Sequence, residues 1–211
     1  METCELITLT LRQGNLRNAA RFAQALESID DFVRAAPTGD NLLGCWVTEF
    51  GPQNRILLLR RFHSADAMLA ERIRVLRCAE PFLPAEMLAA IGFESFVQFP
   101  DLPPIAPGRH GPYYEFRTYV LKIGGLAPTI AAWAKAVPGR TRLSPLVTAM
   151  HSLDGEPRFI HVWAYPDLGE RERIRAEAFD TGVWPARGAP AHLTEMLRSE
   201  LYIPTAISKL A

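Results

Sequence analysis

Two segments of this 211-residue chain are versions of one another. Residues 5–16, ELITLTLRQGNL, align without gaps on residues 115–126, EFRTYVLKIGGL. Five of these twelve pairs are identical: Glu5/Glu115, Thr8/Thr118, Leu11/Leu121, Gly14/Gly124 and Leu16/Leu126. Further on, RILLLRRF (residues 55–62) aligns with RFIHVWAY (residues 158–165), mainly through its apolar pattern. The offset falls from 110 to 103 between the two alignments, so the first helix or its following loop is seven residues shorter in the second copy. A duplication constrains the fold strongly, because both copies must adopt one topology and each is held close to the other by the chain between them.

The segment from Pro100 to Pro112, PDLPPIAPGRHGP, is too rich in proline and glycine to continue a helix or a central strand. The expected organisation is therefore a first unit over residues 1–102, a linker over 103–112 and a second unit over 113–211. Each unit reads as strand, helix, strand, strand, helix, strand. Residues 5–12 and 113–121 alternate before Gly14 and Gly124-Gly125, where strand gives way to helix. In the second copy Leu126, Ile130, Trp133 and Val137 share one helical face, which Pro138-Gly139 is expected to end. In the first copy the matching stripe is Leu16, Ala19, Ala20, Ala23 and Leu26. A hairpin follows in each, around Gly51-Pro52-Gln53-Asn54 and Asp154-Gly155-Glu156-Pro157.

A βαββαβ order gives a four-stranded antiparallel sheet with both helices on one face, leaving the other face bare. Burying it requires a second sheet, and the sister repeat supplies one. The expected class is α+β: two tandem ferredoxin-like units whose antiparallel sheets pack face to face as a pseudo-dimeric α+β barrel.

Charge excludes some partners. Lys plus Arg equals Asp plus Glu at 23 each, so no field of one sign draws in nucleic acid or an anionic membrane. The amino terminus, METCELITLT, lacks the pattern of a secretory signal, and no apolar run reaches a membrane span. Cys4, Cys45 and Cys78 match no zinc spacing, and their odd number suits plain buried thiols in a reducing, cytoplasmic setting. His151 and His192 stand alone, and Gly124-Gly125 lacks the rest of a phosphate loop, so neither metal nor cofactor is expected. GERERIRAE, residues 169–177, reads as a solvated helix face carrying weak charge pairs.

The second unit resembles a known family. YYEFRTYVLKIGGL, residues 113–126, is similar to the opening strand of the NIPSNAP unit, and FIHVWAYPDLGERERIRAE, residues 159–177, is similar to its second signature. Trp184 follows that helix where the family tends to place a tryptophan. The first unit departs from the pattern, with Ile7 opposite Arg117, Leu9 opposite Tyr119 and Arg60 opposite Trp163. The resemblance implies a dimeric α+β barrel fold, shared by small monooxygenases and cyclases. It implies no reaction.

Strand parity yields the candidate pocket. Glu115, Arg117 and Tyr119 point one way, as do His161, Trp163 and Tyr165 on a neighbouring strand. If that shared face is the barrel interior, it forms a pocket into which Arg60 reaches from the first unit, opposite Ile7, Leu9, Leu58 and Phe62. Three roles fit the row: a structural ion pair with a core histidine, a ligand pocket without chemistry, and a catalytic pocket. In the last, His161 carries protons and Arg117 steadies an oxyanion. The functional expectation is a small-molecule-binding or scaffold protein, open to further self-association. The alternative is a cofactor-independent enzyme, monooxygenase-like or cyclase-like, acting on a small aromatic or polyketide-like compound.

Overall fold

Alternating apolar strands that follow one another through short turns must pair antiparallel, and in the computed structural model, which describes all residues from Met1 to Ala211, they do so eight times. The first half contains β1 (Thr3–Leu11), α1 (Ala19–Arg34), β2 (Leu42–Phe50), β3 (Arg55–Phe62), α2 (Ala65–Arg77) and β4 (Leu88–Gln98). The second contains β5 (Tyr113–Leu121), α3 (Leu126–Arg140), β6 (Leu146–Ser152), β7 (Arg158–Tyr165), α4 (Leu168–Asp180) and β8 (Leu193–Pro204). From β3 through α2 the second half repeats the first at a constant offset of 103. Even the helix caps coincide: Ser64 and Asp167 accept hydrogen bonds from the Ala67 and Glu170 amides at 3.1 and 2.7 Å.

Each half is a sheet in the order expected for βαββαβ, β4-β1-β3-β2 and β8-β5-β7-β6. The two sheets face each other and are also joined at both edges, β2 to β8 and β4 to β6, so the eight strands close into one barrel. Closure gives every strand a neighbour on both sides, although β4 meets β6 only over Phe96–Gln98. Inside lie Leu6, Trp46, Leu57, Leu59 and Phe96 from the first half against Tyr114, Phe116, Ile160, Val162 and Tyr202 from the second. Ile105, between the halves, and Leu210, near the carboxyl end, join the same cluster. Gly44 makes room for it: a β carbon there would stand 1.8 Å from the Trp46 indole. No helix is long and apolar enough to cross a membrane.

Two helix readings need correction. α1 starts at Ala19, capped by the Asn18 side chain, and buries Ala25, Leu26, Ile29 and Val33; Ala19, Ala20 and Ala23 are exposed. The larger side chains further along outweigh the alanine stripe, because burial stabilises in proportion to apolar area. α3 does not end at Pro138-Gly139 but runs to Arg140. Proline in a last turn removes one amide donor, and Thr141 still closes the helix with its amide and hydroxyl on the Val137 carbonyl, both at 2.9 Å. That extra turn brings Arg140 into the second-half core. Among the cysteines, Cys4 and Cys45 are buried, with burial pushing each thiol up to about 12, whereas Cys78 is exposed and departs from the buried-thiol expectation.

Candidate functional site

Parity puts Glu115, Arg117, Tyr119, His161, Trp163 and Tyr165 on one face, and the register sets Arg117 beside His161, Glu115 beside Trp163 and Tyr113 beside Tyr165. The face is not the barrel interior. It is the helix side, where α3 and α4 cover the sheet: Glu115 bonds Arg171 of α4, and His161 lies 4.8 Å from Trp133 of α3, ring centre to ring centre. The interior takes the intervening residues, Tyr114, Phe116, Ile160, Val162 and Ala164, because a space closed by two sheets offers charged groups neither water nor helix side chains. Ile7, Leu9 and Leu58 correspondingly pack under their own half's helices with Ala25, Ile29 and Val75.

Arg60 does not reach across. It is fully buried in the first half, donating to Glu5 Oε2 at 2.5 Å and to Glu71 Oε1 at 2.9 Å. Arg72 reaches Glu5 Oε1 at 2.6 Å and Ser95 at 2.8 Å, and Arg74 takes both Glu71 oxygens at 2.8 Å. Every carboxylate oxygen of that network is used.

The second half is left open. Glu115 Oε1 accepts from Arg171 Nη2 and Ser199 Oγ, both at 2.6 Å, while Arg117 Nε stands 3.8 Å away. Burial opposes ionisation of Glu115, but the bonds from Arg171 and Ser199 and the charge of Arg117 outweigh it and hold the carboxyl below its ordinary range. Its Oε2 has no partner, nor do Arg117 Nε, Arg171 Nε, His161 Nε2 and Thr129 Oγ1, all buried. The first-half ionic network has only Arg60 Nε in that condition.

His161 is fixed as a donor. The Trp163 indole N–H donates to its Nδ1 at 2.7 Å, so Nδ1 must offer a lone pair and the ring proton sits on Nε2. Burial, with the charges of Arg117 and Arg140 added, holds the imidazole well below its ordinary range. Its expected role as a proton carrier near neutral pH does not fit this geometry, because taking a second proton expels the Trp163 N–H. The rings of Tyr119, Trp133, Phe159 and Trp163 surround it at 4.8–6.2 Å.

Sequence reasoning missed two residues. Arg171, expected on a solvated face, turns inward to Glu115. Arg140 is 2% exposed and has no carboxylate partner; it bonds Ser144 Oγ at 2.7 Å and Tyr165 OH at 3.4 Å, and lies 4.2 Å over the Trp163 ring. The signal for Arg171 was the repeat itself, since it stands 103 residues after buried Met68.

Space lies beside this row. A cleft of about 870 Å³ between α4 and β8 is lined by Arg171, Arg175 and Ser199, by Glu172, Asp180 and Glu200, and by Phe50, Leu168, Ala176, Phe179 and Leu201. Phe50 and Phe179 are 59% and 72% exposed. Another cleft, of about 720 Å³ near Gln13, Arg17 and Asn54, contains no member of either ionic network.

The buried imidazole has a thermodynamic signature. Unfolded, it takes a proton below about pH 6.5; folded, its depressed pKa keeps it neutral. The stability it contributes is therefore present above that pH and is lost as pH falls toward the folded value, by at most about 1.4 kcal/mol per unit. Urea unfolding of wild type and His161→Leu across this window should show a variant with lower stability but a shallower acid slope. Equal slopes would show that His161 titrates normally in the folded protein.

Comparison with known proteins agrees with this architecture. The profile of the NIPSNAP family matches residues 4–81 and 114–209, one stretch in each half. Human Protein NipSnap homolog 2 is 31% identical over 150 residues, 68% of this chain and 52% of that protein. The chain spans about half the length of the curated relatives it matches. Among solved structures, an anthrone oxidase-like protein superposes with a TM-score of 0.63 at 14% identity, over 100% of this chain and 95% of its own. A proposed monooxygenase from Lactobacillus acidophilus NCFM gives 0.64 at 8%, over 96% and 93%. At such identities the likeness speaks for the fold alone. With a family match in each half of a closed α+β barrel, this chain belongs to the NIPSNAP family.

Proposed function

We propose that the protein binds a small molecule in the α4–β8 cleft, with Arg171 and Ser199 in its wall, Glu115 and Arg117 next to them on β5, and His161 as a fixed donor deeper in the same layer. One observation carries the reading: the second half leaves five buried polar atoms unpartnered around Glu115, His161 and α3, where the first-half network satisfies all four carboxylate oxygens. Unpaired buried polar groups each cost about 1–3 kcal/mol, so a partner supplied by a ligand fits the site better than an empty one. The cleft's volume lies in the range typical of ligand pockets.

A catalytic role is the second reading, favoured by the fixed Nε2 proton of His161. A neutral imidazole held as a donor can stabilise an oxyanion developing on a bound carbonyl compound, with Arg117 adding charge. Proton abstraction would then fall to another group, because His161 Nδ1 is occupied.

Native mass spectrometry of the purified protein tests binding directly. A retained small molecule should be present in wild type and absent in folded His161→Leu and Arg117→Gln variants. Retention in both variants would move the site elsewhere, and no retained mass in wild type, with no binding of added small molecules, would remove the proposal.

A further inference from the structure

Charge in the helix-covered layer of the second half does not balance. Arg140 is almost wholly buried without a carboxylate, and Arg117 and Arg171 are 20% and 24% exposed in their side chains. Glu115 is the one buried acid in that layer, and it pairs with Arg171 and Arg117 only. In the first-half layer two fully engaged carboxylates, Glu5 and Glu71, serve Arg60, Arg72 and Arg74. The hydrogen-bond inventory leans the same way. Three N–H donors lack partners, on Arg117, Arg171 and His161, against one carboxylate oxygen on Glu115; the Thr129 hydroxyl can serve either role. Of the acids at the cleft, Glu172 and Asp180 are exposed, where charges are screened, and half-buried Glu200 accepts from Tyr202 OH at 2.5 Å.

Cations that outnumber their one buried counter-ion, and donors without acceptors, are best completed by an anion with more than one oxygen. Phe50, Leu168 and Phe179 offer apolar surface in the same cleft. Resting on the ligand-binding reading above, we infer that the ligand is an aromatic carboxylate, its carboxylate on Arg171 of the cleft wall and on part-exposed Arg117, whose place on β5 pairs with the lining residue Ser199, and its ring against Phe179 and Phe50. Guanidinium groups suit this task because they hold planar carboxylates through paired N–H donors.

The test uses the full chain and three probes of one shape: 2-naphthoate, the neutral 2-naphthamide and the cationic 2-naphthylmethylammonium, titrated by calorimetry near neutral pH. The carboxylate should bind at least about tenfold more tightly than the amide, the ratio expected for one charge-assisted contact. Arg117→Gln should lower the ratio severalfold in a protein that stays folded, since the one ion pair of Arg117 is the 3.8 Å contact with Glu115, which keeps Arg171. Phe179→Ala should weaken acid and amide alike and preserve the ratio. Equal binding of acid and amide, or preference for the ammonium, overturns the anion inference and leaves the ligand-binding reading standing. No binding of any probe by a protein that retains a native ligand also overturns the inference. If wild type retains no ligand and binds no probe, the reading beneath it fails as well.

Discussion

Residues 113–211 expressed alone should not give a stable monomer. The barrel interior is a joint possession: Tyr114, Phe116, Ile160, Val162 and Tyr202 are covered by Leu6, Trp46, Leu57, Leu59 and Phe96 of the other half. Each large apolar side chain stripped of its cover forfeits about 1.5–3 kcal/mol, and a few such losses exceed the roughly 5–15 kcal/mol by which a domain is stable. Removing the first half also frees the edges of β8 and β6, which pair with β2 and β4 in the intact barrel. Light scattering should find a homodimer, with a second copy taking the sister's place, or aggregates. A well-behaved folded monomer would show that the second half completes its own core.

The architecture was legible because it depends on pattern. Repeat spacing, strand alternation and turn composition are written along the chain, and the bare sheet face left by a βαββαβ unit requires a second sheet. Which face of the sheet meets that second sheet was harder to read. Both faces of β5 and β7 carry aromatic residues, so hydrophobicity alone does not separate Tyr114, Phe116 and Val162 from Tyr119, Trp163 and Tyr165. The polar members decide it: Glu115, Arg117 and His161 need partners, and long helix side chains such as Arg171 supply them where a facing sheet does not. Arg140 escaped notice because Pro138 reads as a stop, and only the three-dimensional helix shows the turn beyond it.

The two halves also show how one buried charge can be handled in two ways. Glu5 and Glu115 are equivalent and both buried, yet their surroundings differ. At an offset of 103, Arg60 corresponds to Trp163 and Glu71 to Ile174, so the second half has apolar residues where the first has an ion pair. Without that pairing, the second-half layer has an aromatic wall and the unpartnered donors on which the proposed site rests. The first-half layer, with its carboxylates fully engaged, has the character of a structural support.

This equivalence sets up the second large effect. Arg60→Ala should destabilise the protein by about 3–5 kcal/mol, because Glu5 and Glu71 lose a fully buried partner. The loss is not the worth of the pair, since desolvating both charges offsets much of their attraction. Replacing both ends should therefore cost much less than removing one. Arg60→Met combined with Glu71→Ile copies the apolar choice of the second half: Glu5 keeps Arg72, and Arg74, 29% exposed in its side chain, can turn to water. Urea unfolding of wild type, Arg60→Met, Glu71→Ile and the double variant forms a complete cycle. The double variant should be more stable than Arg60→Met alone. Additive losses would mean that Arg60 and Glu71 are not coupled and that each supports this half through its other contacts, Arg60 through Glu5 and Glu71 through Arg74.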